Sequence, residues 1–163
     1  LVSDPIDQAG VDILSQVAQV DQRPGLSPEE LVSVIGDYDG LMIRSGTQVT
    51  AEVIAAASKL KIIGRAGVGV DNVDVPAATQ RGVLVVNSPE GNTIAAAEHA
   101  LAMMLSLSRH VPQAHAGMRV GKWDRKKYVG NELYKKTLGV VGLGKIGSHV
   151  ARCLINRVGN QNF

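Results

Sequence analysis

Short apolar runs alternate with stretches of helical spacing along most of this chain. Ala18–Val20, Gly40–Ile43, Leu60–Ile63 and Val83–Val86 are brief and dominated by Val, Ile, Leu and Ala, and they read as buried strands. Leu1 also falls inside a strand-like run. The intervening segments carry helix punctuation. Ser27 is a predicted N-cap with Pro28 at the first helical position of a helix over 28–35. Thr50 is the predicted cap of a second helix reaching Ser58, and Asp74–Gln80 forms a third, closed by Gly82. Strands separated by helices predict βαβ units and a parallel sheet.

The pattern changes after Val86. Asn87-Ser-Pro-Glu-Gly91 is turn chemistry. Asn92 is the predicted cap of a long helix from Thr93 to about Arg109, on which Ile94, Ala97, Leu101, Met104 and Leu105 recur at helical spacing. A further helix is predicted from about Pro112 to Val120. Leu138–Val141 reads as one more short buried strand, and Ser148–Ile155 as the helix behind it. A domain boundary is therefore expected near residue 90, dividing the chain into 1–90 and 91–163.

Composition narrows the picture. At 163 residues, 45% hydrophobic and 20% charged, the chain has the balance of a soluble globular α/β protein. Aromatics are only 3%, so Ala, Val, Ile, Leu and Gly must build the core. A net charge of +2 is too small to point to nucleic acid or a membrane surface, although residues 119–136 hold seven Lys or Arg against two acids. Cys153 is the lone cysteine, which leaves no intrachain disulfide or Cys-based metal site and fits a reducing, cytoplasmic compartment. Glu98 and His99 interrupt the longest candidate for a membrane span. Because the chain starts at Leu1 rather than Met, a targeting segment is not assessable.

The chemistry concentrates in glycine-rich turns after strands. Gly142, Gly144 and Gly147 have G-x-G-x-x-G spacing between a predicted strand and a predicted helix, the context of a dinucleotide-binding turn. The first glycine permits the turn, the second lets backbone approach a pyrophosphate, and the third lets helix pack on strand. The acidic residue expected about 20 positions on for a ribose hydroxyl is absent, since Asn160-Gln-Asn-Phe163 occupies that region, and NAD is not separated from NADP by residues alone. Gly64-Arg-Ala-Gly-Val-Gly-Val-Asp-Asn-Val-Asp74 places three glycines and Arg65 after a strand, which suits either an anion pocket or an ordinary turn with a surface arginine. Arg44-Ser-Gly-Thr47 stands at an equivalent place and suits either anion binding or a polar loop. Gly121-Lys-Trp-Asp-Arg-Lys-Lys-Tyr128 is a basic run that reads as a solvated loop or as a supplier of positive charge to an anionic substrate. His99, His110, His115 and His149 show no metal-ligand spacing, and His99 reads as a packed helix residue.

These motifs, together with Asn87-Ser-Pro-Glu-Gly-Asn-Thr-Ile-Ala-Ala-Ala-Glu-His99, occur in one order that resembles the D-isomer-specific 2-hydroxyacid dehydrogenases over residues 1 to about 152. The resemblance implies a flavodoxin-like substrate domain followed by the start of a Rossmann nucleotide domain. It implies NAD as cofactor and a small phosphorylated hydroxy acid, 3-phospho-D-glycerate, as substrate. By motif, Arg44 and Ser45 would face the substrate's anionic end. Arg65, with backbone at Gly67 and Val68, would lie near carboxylate and nicotinamide. Gly142, Gly144, Lys145, Ile146 and Gly147 would hold the pyrophosphate, Thr93 would approach the nicotinamide, and Arg125, Lys126 and Lys127 match a basic loop that in the family can reach the partner subunit's substrate pocket. The family's catalytic Arg, Glu and His are expected beyond position 163, so no residue here is assigned a catalytic role. The chain is expected to be an inactive fragment of a homodimer or homotetramer. Another D-2-hydroxyacid dehydrogenase, or a non-catalytic co-repressor or dimerisation module of the same fold, remains open.

Overall fold

A computed structural model describes residues 1–155; the expectation for Asn160–Phe163 lies outside them. The chain forms two compact units, one over Leu1–Gly91 and one beginning at Asn92. In the first, the helices are α1 (Gln8–Ser15), α2 (Pro28–Val34), α3 (Ala51–Ala56) and α4 (Val75–Gln80), and the strands are β1 (Gly40–Ile43), β2 (Ile62–Arg65) and β3 (Leu84–Asn87). The strands run parallel in the order β1-β2-β3, with Ile43 opposite Arg65 and Arg65 opposite Asn87. Val2 adds a parallel bridge to Met42 on one side and to Gln22 on the other. Numbering these five segments along the chain, their order across the sheet is 2-1-3-4-5, the doubly wound order of flavodoxin-like folds.

The core is built as the composition requires. Leu31, Ile35, Ile43, Val49, Val53, Ile54 and Ile63 are fully buried, and Leu41, Ala57 and Ala78 complete the layer between helices and sheet. Burying a Leu, Ile or Val side chain is worth roughly 1.5–3 kcal/mol each. The helix ends match their sequence signals. Ser27 and Glu30 form a reciprocal capping box at α2, Thr50 accepts from Val53 N–H at α3, and Asp74 accepts from Ala77 N–H at 3.0 Å at α4.

Two expectations for the first unit change. The second parallel segment sits at Gln22, not over 18–20, because α1 runs to Ser15 and a turn follows it. The helix α1 itself has little apolar signal: it buries only Val11 and leaves Ile13 65% exposed, and it is set instead by Asp7 capping Ala9 N–H and by the Gln8–Asp12 side-chain bond.

The second unit contains α5 (Thr93–Ser108), α6 (Val111–Arg119), a short 3₁₀ turn over Arg125–Tyr128 and α7 (Lys145–Ile155). Asn92 precedes α5, but its side chain makes no capping bond, because its backbone (φ −123°, ψ 6°) lies outside the extended region a side-chain cap uses. Leu138–Val141 is neither a strand nor buried, with Val141 fully exposed. A strand exists through its ladder, and no partner strand lies beside it among the described residues. The last helix begins at Lys145 rather than Ser148, so Gly147 lies inside its first turn. His99, read as a packed core or interface residue, is not in the core, since its side chain is exposed.

Candidate functional site

The carboxyl ends of the parallel segments carry the anion-binding candidates of the first unit. In a 2-1-3-4-5 sheet, the neighbouring first and third segments send their connections to opposite faces, and the crevice beside their carboxyl ends is where open α/β sheets take ligands. Here that position falls between Asp4, just after Val2, and Arg44, just after β1.

Asp4 organises the loop. Its Oδ2 accepts backbone N–H bonds from Arg44 at 2.6 Å and Thr47 at 3.0 Å. Ser3 and Thr47 join their hydroxyls at 2.9 Å. A Cβ on Gly46 would stand 2.6 Å from Asp4 Oδ1, so only glycine lets the loop close on this carboxylate. Burial works to raise the Asp4 carboxyl. The N–H groups of Thr47 and Arg44, the Thr47 hydroxyl and the Gly46 N–H together outweigh burial and hold it below its ordinary 3.8. A depressed carboxyl adds stability above its unfolded value and loses it as pH falls through the folded value. Asp4→Asn should therefore cost about 2 kcal/mol at neutral pH and flatten the acid limb of the stability curve below about pH 4, as read by thermal melts across pH. An acid limb identical to that of the native chain would show that Asp4 does not carry it.

Arg44 and Ser45 are exposed on this loop, and Arg44 Nη1 lies 3.5 Å from the Pro5 carbonyl. Arg65 ends β2 on the neighbouring strand. Its side chain is 12% exposed; its Nε donates to Asn72 Oδ1 at 3.0 Å, and its Nη2 lies 3.8 Å from the exposed Asp71. The Arg65 guanidinium lies against Gly67, where a Cβ would come within 2.3 Å of Nη1. Val68 is exposed, and its carbonyl accepts from Asn87 Nδ2 at 2.6 Å, while Ser88 N–H donates to the Gly67 carbonyl. The structure thus brings Arg44, Ser45, Arg65, Gly67 and Val68 to adjoining strand ends.

Asp4 and Asn72 do structural work that the motif reading missed. Both are buried polar residues just after a strand or in the loop that follows one, and their burial is not visible in the sequence.

The remaining candidates belong to the second unit. Gly142 has φ +96°, a conformation that favours glycine. A Cβ on Gly147 would lie 2.0 Å from the Gly142 carbonyl oxygen and 3.3 Å from Val140 Cγ1, so the start of α7 packs directly on the turn. Beside Gly144 there is open space within 4 Å. The three glycines therefore show tight turn, open approach and close packing in that order, as a pyrophosphate cradle requires. Ser148 N–H closes onto the Gly144 carbonyl at 3.0 Å, and α7 presents its amino end beside this turn. Lys145 opens α7, and Ile146 is 40% exposed. Thr93 is buried at the start of α5. Arg125, Lys126 and Lys127 are all exposed on the 3₁₀ turn, with Lys127 Nζ 5.6 Å from the centre of the Tyr128 ring. Among the described residues there is no cluster of three metal-ligating side chains and no helix long and apolar enough to cross a membrane.

Sheet order, arginine-bearing strand ends and glycine turn together define the class. Residues 1–156 match the family described as D-isomer specific 2-hydroxyacid dehydrogenase, catalytic domain, and the chain belongs to that family. It is 67% identical over 151 residues to the D-3-phosphoglycerate dehydrogenase of Synechocystis, covering 93% of this chain and 27% of that protein. It is 52% identical to the D-3-phosphoglycerate dehydrogenase of Methanocaldococcus jannaschii, again covering 93% of this chain but 29% of the relative. The crystal structure of TT0316 from Thermus thermophilus is similar over 95% of this chain and 52% of that one, with a TM-score of 0.86 at 34% identity. The chain thus spans little more than a quarter of the length of these curated relatives.

Proposed function

We propose that the protein carrying this sequence is an NAD-linked dehydrogenase that oxidises 3-phospho-D-glycerate to 3-phosphooxypyruvate, the first step of phosphorylated serine synthesis. Within it, residues 1–90 serve as part of the substrate domain and residues from 91 onward as part of the nucleotide domain. The observation that carries the reading is the pair of arginine loops at adjoining carboxyl ends of the sheet, Arg44 after β1 and Arg65 after β2.

Each group has a definite task. Arg65 is mostly buried and held at Nε, which leaves its Nη edge to grip a carboxylate. Arg44, with Ser45, is exposed and open to a phosphate from solvent. The exposed basic side chains of Arg125, Lys126 and Lys127, on the family resemblance, lend charge to the partner subunit's substrate pocket and favour a phosphorylated substrate over a simple hydroxy acid. The backbone N–H groups at the start of α7 suit a pyrophosphate, and the open side of Gly144 gives it room. NAD, when bound, takes the hydride released at the carbinol carbon. This portion of the enzyme binds and orients, which lowers the barrier by fixing the reacting geometry.

The enzyme is placed in the cytoplasm, for which the lone Cys153 is the support, and read as a homodimer or homotetramer on its family resemblance. Calorimetric titration of the chain tests the proposal. Saturable binding of 3-phosphoglycerate is expected, and no heat of binding for this ligand would remove the substrate assignment.

A further inference from the structure

We infer that Asn72 is a positioning residue, whose buried amide sets the Arg65 guanidinium against the backbone of the Arg44 loop so that the two arginine loops act as one unit. The inference rests on the proposed reading of Arg65 as a substrate ligand. Asn72 is 5% exposed. Its Nδ2 donates to the Arg44 and Thr47 carbonyls, each at 2.7 Å. Those two acceptors determine the sense of the amide, because an amide oxygen placed there would face two oxygens. Oδ1 is therefore left on the other side, where it accepts from Arg65 Nε at 3.0 Å. The backbone ties are equally short: Val49 N–H donates to the Asn72 carbonyl at 2.8 Å, and Val49 and Val73 form a parallel bridge.

The consequence lies in the arginine. A free arginine side chain loses rotamer entropy when it orders on a ligand. Here the Nε edge is already committed to a buried amide, and the absence of a side chain at Gly67 leaves the space that Nη1 occupies. The contact from Nη2 to Asp71 is long and solvent-exposed, so it holds the fork weakly. Asn72 thus preorganises the terminal Nη edge without occupying it. Any displacement of the Arg44 loop is passed to Arg65 through one side chain.

Titration of the chain with 3-phosphoglycerate tests this in four variants. Asn72→Ala should weaken binding about tenfold, the scale of a lost charge-assisted hydrogen bond. In an Arg65→Ala background the same substitution should cost clearly less, because the part of its effect that passes through Arg65 is already gone and only its hold on the Arg44 loop remains. Equal losses in both backgrounds would overturn the inference and leave Asn72 a purely structural residue. Arg65→Lys keeps the charge but has no Nε–H, so it should lose a similar factor even if Asn72→Ala fails to fold; an unchanged affinity for Arg65→Lys would overturn the inference as well. A second readout is independent of substrate. The Arg65 Nε–H should exchange slowly with water in the native chain and much faster in Asn72→Ala. Rapid exchange in the native chain would sink the inference, whereas slow exchange without any 3-phosphoglycerate binding would sink only the substrate assignment.

Discussion

Gly147→Ala should lower the affinity of this chain for NAD by on the order of a hundredfold and loosen the start of α7 at the same time. The added methyl would meet the Gly142 carbonyl oxygen at 2.0 Å and its carbon at 3.1 Å, and both are backbone atoms that no rotamer change can move aside. Overpacking of this kind costs about 1–3 kcal/mol, and roughly 1.4 kcal/mol is a tenfold change in an equilibrium. Turn and helix must separate to relieve it, and the N–H groups that would face the pyrophosphate move with them. Gly144→Ala is the informative contrast. No neighbour stands within 4 Å of its Cβ position, so the free chain should fold unchanged, yet the methyl would project into the space left for a ligand. Loss of NAD affinity without loss of helix stability at Gly144, against loss of both at Gly147, would separate approach from packing. Native-like NAD binding by Gly147→Ala would show that the turn is not the cradle.

Arg44→Ala should weaken 3-phosphoglycerate binding ten- to a hundredfold, by about 1.5–3 kcal/mol, and leave D-glycerate nearly unaffected. The asymmetry follows from placement. Arg65 is held at Nε and sits deep enough to read the carboxylate that both ligands share, while the exposed Arg44 is free to reach the phosphate that only one carries. The Arg44 backbone is anchored by Asp4 and Asn72, so deleting its side chain leaves the loop in place. Parallel calorimetry with the two ligands reads the difference. Equal losses for both would show that Arg44 does not read the phosphate and would favour a dehydrogenase of unphosphorylated hydroxy acids.

Much of the first unit was legible because its signals are local. The runs at 40–43, 60–63 and 83–86 overlap β1, β2 and β3, Ser27 and Thr50 cap the helices they are expected to cap, and Asp74, expected as the first residue of its helix, is the cap of α4. The helix α1 is not legible because its eight residues are shorter than the window over which helical periodicity becomes a signal. The run Leu138–Val141 has the composition of a strand, but strand formation is a property of pairs, and composition says nothing of the neighbour. On α5 the spacing of Ile94, Ala97 and Leu105 marks a face, yet Ala97 is buried while Ile94 is 62% exposed. Periodicity shows which residues share a face, not what covers it. The start of α7 was placed three residues late because the third glycine was read as preceding the helix, whereas its packing role puts it within the first turn. For the site, motif order singles out the arginines and glycines, and their roles are the ones proposed above. Asp4 and Asn72 escape because their work is to hold other groups, and their bonds to the Arg44–Thr47 loop span 25 to 43 residues of sequence that no local pattern displays.

The most direct test is a residue-resolved ¹H–¹⁵N titration of the chain, with 3-phosphoglycerate and with NAD added separately. 3-Phosphoglycerate should shift the amides of residues 44–47 and 67–72 and the Arg65 Nε–H, and NAD should shift those of residues 142–148. Saturable shifts at these two sets would place substrate and cofactor on the arginine loops and the glycine turn. Binding mapped to other surfaces, or no shift with either ligand, would contradict it.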